Sequence, residues 1–183
     1  MKKVVFGGSR KLGKLNKAIR QHADDMMGQA CLVLVGDAHG ADRAIQEYLA
    51  EKTYPHVLVF CAGNTCRNNL GGWKTRCVPS NRAHRDFRHY VIRDKEMIKE
   101  ADYGFMVWDG KSKGTFNNIV NLVQTDKPVL VYLSPKKTFL TLKSNRDVVD
   151  LLSLCDRKAI EMLENSLGIS HRIRPEQLQF NFT

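Results

Sequence analysis

Three glycine-bearing segments carry most of the chemistry this chain can do. Gly7-Gly8-Ser9-Arg10 sets free backbone N–H groups, a hydroxyl and a guanidinium side by side, a combination that grips a phosphate when it opens a helix. Gly36-Asp37-Ala38-His39-Gly40-Ala41-Asp42 offers close backbone approach at its glycines. Asp37 and Asp42 are carboxylates there, Asp42 equally a helix cap, and His39 is an acid, base or ribose contact. Asp109-Gly110-Lys111-Ser112-Lys113-Gly114-Thr115 can turn the hydroxyls and amides of Ser112, Gly114 and Thr115 toward an anion, a phosphate nest. It lacks the Lys-Ser/Thr pair directly after the last glycine that a P-loop requires.

A fourth segment, from Cys61 through Trp73 to Cys77, is rich in amides, glycines and basic residues. It suits a nucleobase lid, with Arg67 on phosphate, Asn68 or Asn69 on a base edge and Trp73 stacking; the alternative is that Trp73 anchors a long loop to the core. Cys61, Cys66, Cys77 and His84 lack the paired short spacing of zinc ribbons, so no metal is expected. Five cysteines, with no secretory leader between Met1 and the first strand, imply reduced thiols and a cytoplasmic setting.

The elements that must position these residues alternate. Apolar runs at residues 2–6, 31–35, 56–61, 103–108 and 129–133 have the continuous hydrophobicity of strands buried on both faces. Helical periodicity follows at about 11–27, 41–52, 82–100 and 115–124. The expectation is a Rossmann-like, doubly wound α/β domain over residues 1–133, with a mainly parallel five-stranded sheet and ligands beyond the carboxyl ends of its strands. Residues 134–183 form a helical C-terminal extension, helical over 147–167, and Leu178 to Phe182 alternates as an edge strand or docking tail.

In this order the motifs resemble the SLOG superfamily of nucleotide-related Rossmann-like domains, closest to its YspA-like branch, over residues 3–133. Phe6-Gly7-Gly8-Ser9-Arg10 is similar to the family's first strand and loop, and Gly36 through Asp42 to its G-x-A-x-G-x-D element. Arg93 with Met97, before Ala101-Asp102, resembles the R-N-x-x-M helix, and Gly110 to Thr115 the glycine-Thr phosphate loop. The resemblance implies a nucleotide-like ligand with Arg93 beside its phosphate. The superfamily includes the Lonely Guy phosphoribohydrolases, ligand sensors and the DNA-processing protein A group. Where the phosphoribohydrolases carry a glutamate, this chain has Asn118, an amide that serves neither as nucleophile nor as base. Asp37, Asp42 or Asp109 would have to supply the carboxylate of any hydrolysis, with Asp37 and Asp109 the catalytic candidates.

Composition narrows the partners. The net charge is +10, and residues 63–99 hold nine Lys and Arg against three acids, which together with the acid-free stretch 10–20 favours an anionic partner. No apolar run approaches the ~20 residues of a membrane span. The expected function is binding of a nucleotide or nucleotide derivative, as sensor or sequestering domain, without a cofactor. An N-glycosidase is the enzymatic alternative. Single-stranded nucleic-acid binding, with Trp73, Phe87 and Tyr90 to stack bases, is the other. A homo-oligomer, a dimer, is expected, with the C-terminal helices one candidate contact.

Overall fold

The computed structural model describes residues 1–80 and 86–173. One seven-stranded sheet is built from β1 (Lys3–Gly8), β2 (Leu32–Gly36), β3 (Val57–Ala62), β4 (Lys74–Val78), β5 (Tyr103–Trp108), β6 (Val129–Leu133) and β7 (Thr138–Leu142), in the order β4-β3-β2-β1-β5-β6-β7. All neighbours are parallel except β6 and β7. The helices are α1 (Lys17–Gly28), α2 (Ala41–Glu51), α3 (Phe87–Glu100), α4 (Lys113–Gln124), α5 (Asn145–Ser153), α6 (Arg157–Leu167) and α7 (Ile169–Arg172). The Rossmann-like α/β architecture is therefore present with seven strands rather than five.

Both additional strands sit at edges, where apolar content is not demanded. β4 is exposed over Lys74 to Cys77, and its charged side chains protect an open edge from pairing with another chain. β7 follows a short turn at Ser134–Lys136, so the stretch after Ser134 begins with a strand rather than a helix. Two helix boundaries also move. α1 starts only at Lys17, because the Asn16 side chain caps it by accepting from Ile19 N. The expected helix over 147–167 is two helices, α5 opened by a Ser144–Asp147 capping box and α6 begun after Asp156. The 178–182 segment lies outside the described residues.

Strand alternation sorts the core into two layers. Val5, Leu34, Phe60 and Met106 face one cluster, in which α3 and α4 residues meet Val148, Leu151 and Leu163 of α5 and α6. Val4, Phe6, Val33 and Val35 face the other, with Ile19 of α1 and Ile45 of α2. Among the described residues no helix is long and apolar enough to cross a membrane.

The chain runs outward from β1 to β2, β3 and β4, then crosses back to lay β5 on the other side of β1. That reversal opens a crevice at the carboxyl ends of β1 and β5, the place where such sheets bind ligands. Gly8, the last residue of β1, has room for no side chain: a Cβ there would stand 2.5 Å from both the Ala41 Cβ and the Val107 carbonyl. Gly8→Ala should cost about 1–3 kcal/mol through overpacking, each kcal/mol being worth about 2–4 °C in Tm for a chain of this size. Gly114→Ala, whose Cβ would meet nothing within 4 Å, should leave the melting temperature nearly unchanged in the same scan.

Candidate functional site

The crevice holds a cavity of about 590 Å³ bounded by the end of β1, the α3 face and the first turn of α4. One wall is basic: Arg10 and Lys11 follow β1, and Lys111 and Lys113 flank the start of α4. Phe87, Tyr90 and Met97 from α3 and Met162 from α6 add an apolar and aromatic lining, and two of the cations rest on it, Arg10 with its guanidinium 5.2 Å from the Tyr90 ring centroid and Lys113 with Nζ 5.0 Å from that of Phe87. The floor is polar and buried, formed by Asp42, Arg93, Asp94 and Asn118.

That floor is a network centred on Arg93, which is only 5% exposed. Its Nη1 donates to Asp37 Oδ1 at 2.7 Å, and its Nε and Nη2 donate to Asp94 Oδ1 at 2.8 and 2.6 Å. Asp42 Oδ2 lies 3.9 Å from Nη2. Asp37 also accepts from Arg67 N, Nε and Nη2. Asn118 Nδ2 donates to Asp94 Oδ2 at 3.1 Å, while Asn118 Oδ1 is buried without a partner. The packing needs a glycine at position 36, where a Cβ would fall 2.4 Å from Asp42 Oδ2 and 2.8 Å from the Arg93 guanidinium.

Burial divides the titrations of these carboxylates. Burial raises Asp37, but the Arg67 hydrogen bonds and the charge of Arg93 outweigh it and hold the carboxyl below its ordinary value. Asp42 is pushed up to about 7, first by burial, with Arg93 pulling down and Asp94 adding repulsion. Burial also works against charge on Arg93, yet the three aspartates hold its guanidinium firmly protonated.

Of the residues singled out in the sequence, the fold brings Gly7, Gly8, Arg10, Asp42, Arg93, Asp109, Ser112, Gly114, Thr115 and Asn118 to the cavity. The others have different surroundings. The Ser9 hydroxyl, fully buried, accepts from Asp109 N at 3.1 Å and so ties the β1 loop to the β5 loop. Gly36 and Asp37 lie behind the floor, Gly40 is the N-cap of α2, and His39 is exposed. Arg67 is turned to Asp37 and Tyr90, its guanidinium 4.5 Å from the ring centroid. Trp73 Nε1 donates to the Tyr54 carbonyl and its ring packs on the core, so it anchors its loop. Gly110 packs beside Leu133 and Pro135. Asp109 Oδ1 accepts from Lys111 N and Ser112 N, shaping the loop before α4.

Sequence reasoning missed Asp94 and the lysines at positions 111 and 113 as site residues, and took Tyr90 only as a base-stacking candidate. Helical spacing could have found two of them: Tyr90, Arg93, Asp94 and Met97 stand three and four positions apart along α3, and all four line the cavity from the same helix surface.

No protein-family model matches the chain, and no curated protein does. Among solved structures, DNA processing protein A from Helicobacter pylori, described for its single-stranded DNA binding mode, superposes with a TM-score of 0.50 at 18% identity. The likeness is one of fold. It covers 71% of this chain and 64% of that one.

Two outcomes follow from the buried network. Arg93→Ala should destabilise the protein by about 3–5 kcal/mol, since it leaves carboxylates buried without their cation; chemical denaturation measures this without any ligand. Asp42 titrates with the opposite sign from a salt-bridged carboxylate. Its folded value is above the unfolded one, so its contribution is full below pH 4 and is lost as pH rises toward 7. Asp42→Asn should therefore flatten the stability profile between pH 4 and 7 and be more stable than the parent at pH 8, on the order of a few kcal/mol.

Proposed function

We propose that the chain is a SLOG-type domain that binds a nucleotide or nucleotide derivative in the crevice cavity, as a sensor or sequestering protein. The observation that carries this reading is the Asn118 carbonyl oxygen, a buried acceptor without a partner on the floor of a cavity whose rim is cationic. An unpaired buried acceptor costs roughly 1–3 kcal/mol unless a donor reaches it. A ribose hydroxyl or a base amine is such a donor.

The rim supplies the phosphate end. Ser112 is the N-cap of α4 but makes no side-chain capping bond, so the first N–H groups of a twelve-residue helix remain for an anion. Gly114 leaves the space beside them open, and Lys111, Lys113 and Arg10 add charge. Phe87, Tyr90 and Met97 offer an apolar wall for the base. The volume, about 590 Å³, lies in the ordinary range for small-molecule sites. Arg93 enters this reading as the organiser of the floor rather than as a free phosphate ligand, because each of its three donor nitrogens already faces a carboxylate.

The absence of a carboxylate at position 118 favours binding over N-glycosidic hydrolysis. For an enzyme, Asp109 is the better placed carboxylate at the cavity, since Asp37 is 1% exposed and engaged by two arginines. A second reading, single-stranded nucleic-acid binding, is favoured by the basic surplus of residues 63–99 and by the subject of the DNA processing protein A structure.

Titration calorimetry against nucleoside mono-, di- and triphosphates, NAD, ADP-ribose and cyclic nucleotides tests the proposal. At least one should bind, and Asn118→Ala should weaken it about tenfold, the ~1.4 kcal/mol of one lost hydrogen bond. A folded protein that binds none at millimolar concentration refutes it. For an oligonucleotide, the logarithm of affinity should fall with log salt at about −0.7 per phosphate neutralised, and a steep slope would favour the polymer over the mononucleotide.

A further inference from the structure

Away from the cavity, the fold gathers three of the five cysteines. Cys61 and Cys77 are register partners on the neighbouring parallel strands β3 and β4, so their side chains leave the sheet on the same face. The loop after β3 returns Cys66 to the same place. Burial first, and then the neighbouring Cys66 and Cys77 thiols, push the Cys61 thiol up. Cys61 Sγ, Cys66 Sγ and a carboxylate oxygen of Asp37 lie within 4.8 Å of one another. No disulfide links them: all three are free thiols, Cys61 buried, Cys66 half-buried and Cys77 exposed.

We propose that Cys61, Cys66 and Cys77 form a three-thiolate site for a thiophilic d10 cation, zinc in the first instance. Thiolates about 2.3 Å from a zinc ion stand roughly 3.8 Å from one another in a tetrahedron; Cys61 and Cys66 already lie within 4.8 Å, and rotation of the exposed Cys77 side chain, on the same face of the sheet, brings in the third. Sulfur ligands select this class of ion over magnesium or calcium. The fourth position falls to water. Asp37 is near enough, but its oxygens already accept four hydrogen bonds, from Arg67 N, Nε and Nη2 and from Arg93 Nη1. The exposed side of Cys77 gives solvent its access. Binding converts each coordinated S–H to a thiolate and releases its proton to solvent, with no change of oxidation state.

The site does not depend on the nucleotide reading. The test uses the full chain, reduced and kept anaerobic, titrated with Co(II) as a spectroscopic stand-in and with Zn(II) in competition. One equivalent should bind with thiolate-to-cobalt charge-transfer absorption and net proton release that declines as pH rises. Loss of an outer-shell partner alone typically costs 10–100-fold in affinity, so Cys77→Ser and Cys66→Ala should each weaken binding by about tenfold or more. Cys155→Ser, at a free thiol outside the cluster, should leave it unchanged. Circular dichroism of each variant confirms folding, and Cys77, being exposed, is the substitution least able to disturb it. The proposal falls if Zn(II) affinity is the same in parent, Cys66→Ala and Cys77→Ser proteins. It also falls if the reduced cluster takes up no metal and only oxidises to a disulfide with peroxide.

Discussion

The burial of Arg93 among Asp37, Asp42 and Asp94 is the constraint on which the rest of the crevice depends. Asp37 follows β2, Asp42 stands in the first turn of α2, and Asp94 shares α3 with Arg93. Asn118 joins α4 to the same cluster through Asp94, and Arg67 brings in the loop after β3 through Asp37. A desolvated guanidinium with an absent partner is strongly unfavourable, whereas one with complete hydrogen bonding is tolerated. The arrangement therefore penalises any relative shift of these elements. Its cost is met by geometry, including the missing side chain at Gly36 that admits both the Asp42 carboxylate and the guanidinium.

This also separates two roles that a sequence motif merges. An arginine beside a phosphate site can touch the phosphate or hold up the surface that does. Here its nitrogens are directed to carboxylates, and the exposed cations that line the cavity are Arg10, Lys11, Lys111 and Lys113. The charge of the floor is largely compensated internally, with Asp42 poised near neutrality by burial. A ligand would thus meet positive charge at one end and polar, near-neutral groups at the other, the polarity of a phosphorylated molecule with an uncharged remainder.

The central fold was legible because buried parallel strands need continuous apolar runs, and Val33-Leu34-Val35 or Val129-Leu130-Val131 have little other explanation. Edge strands lack that requirement: Lys74-Thr75-Arg76-Cys77-Val78 carries the composition of a loop and pairs only because β3 offers a free edge. Ten of the residues named from sequence line one cavity, since the strand ends fix where loops emerge. What spacing could not reveal was direction. Ser9 and Asp37 occupy the right loops but turn into the protein, and Trp73 turns to the Tyr54 carbonyl.

The same limitation explains the thiol cluster. Metal motifs are recognised in sequence when ligands come in short pairs on one turn, because only then does local geometry alone converge them. Cys61 and Cys77 converge through strand register, and register is set by the alternation of the whole sheet rather than by the residues between them. The long loop from Cys61 to Trp73 then has two anchors, Arg67 on Asp37 and Trp73 on the Tyr54 carbonyl, and Cys66 is delivered to the cluster by the first of these. Asp37 consequently has the Cys61 and Cys66 thiols within 4.8 Å and is ion-paired with Arg93. A change of charge at the sulfurs would be felt by that carboxylate first, and through Arg93 by the floor of the crevice.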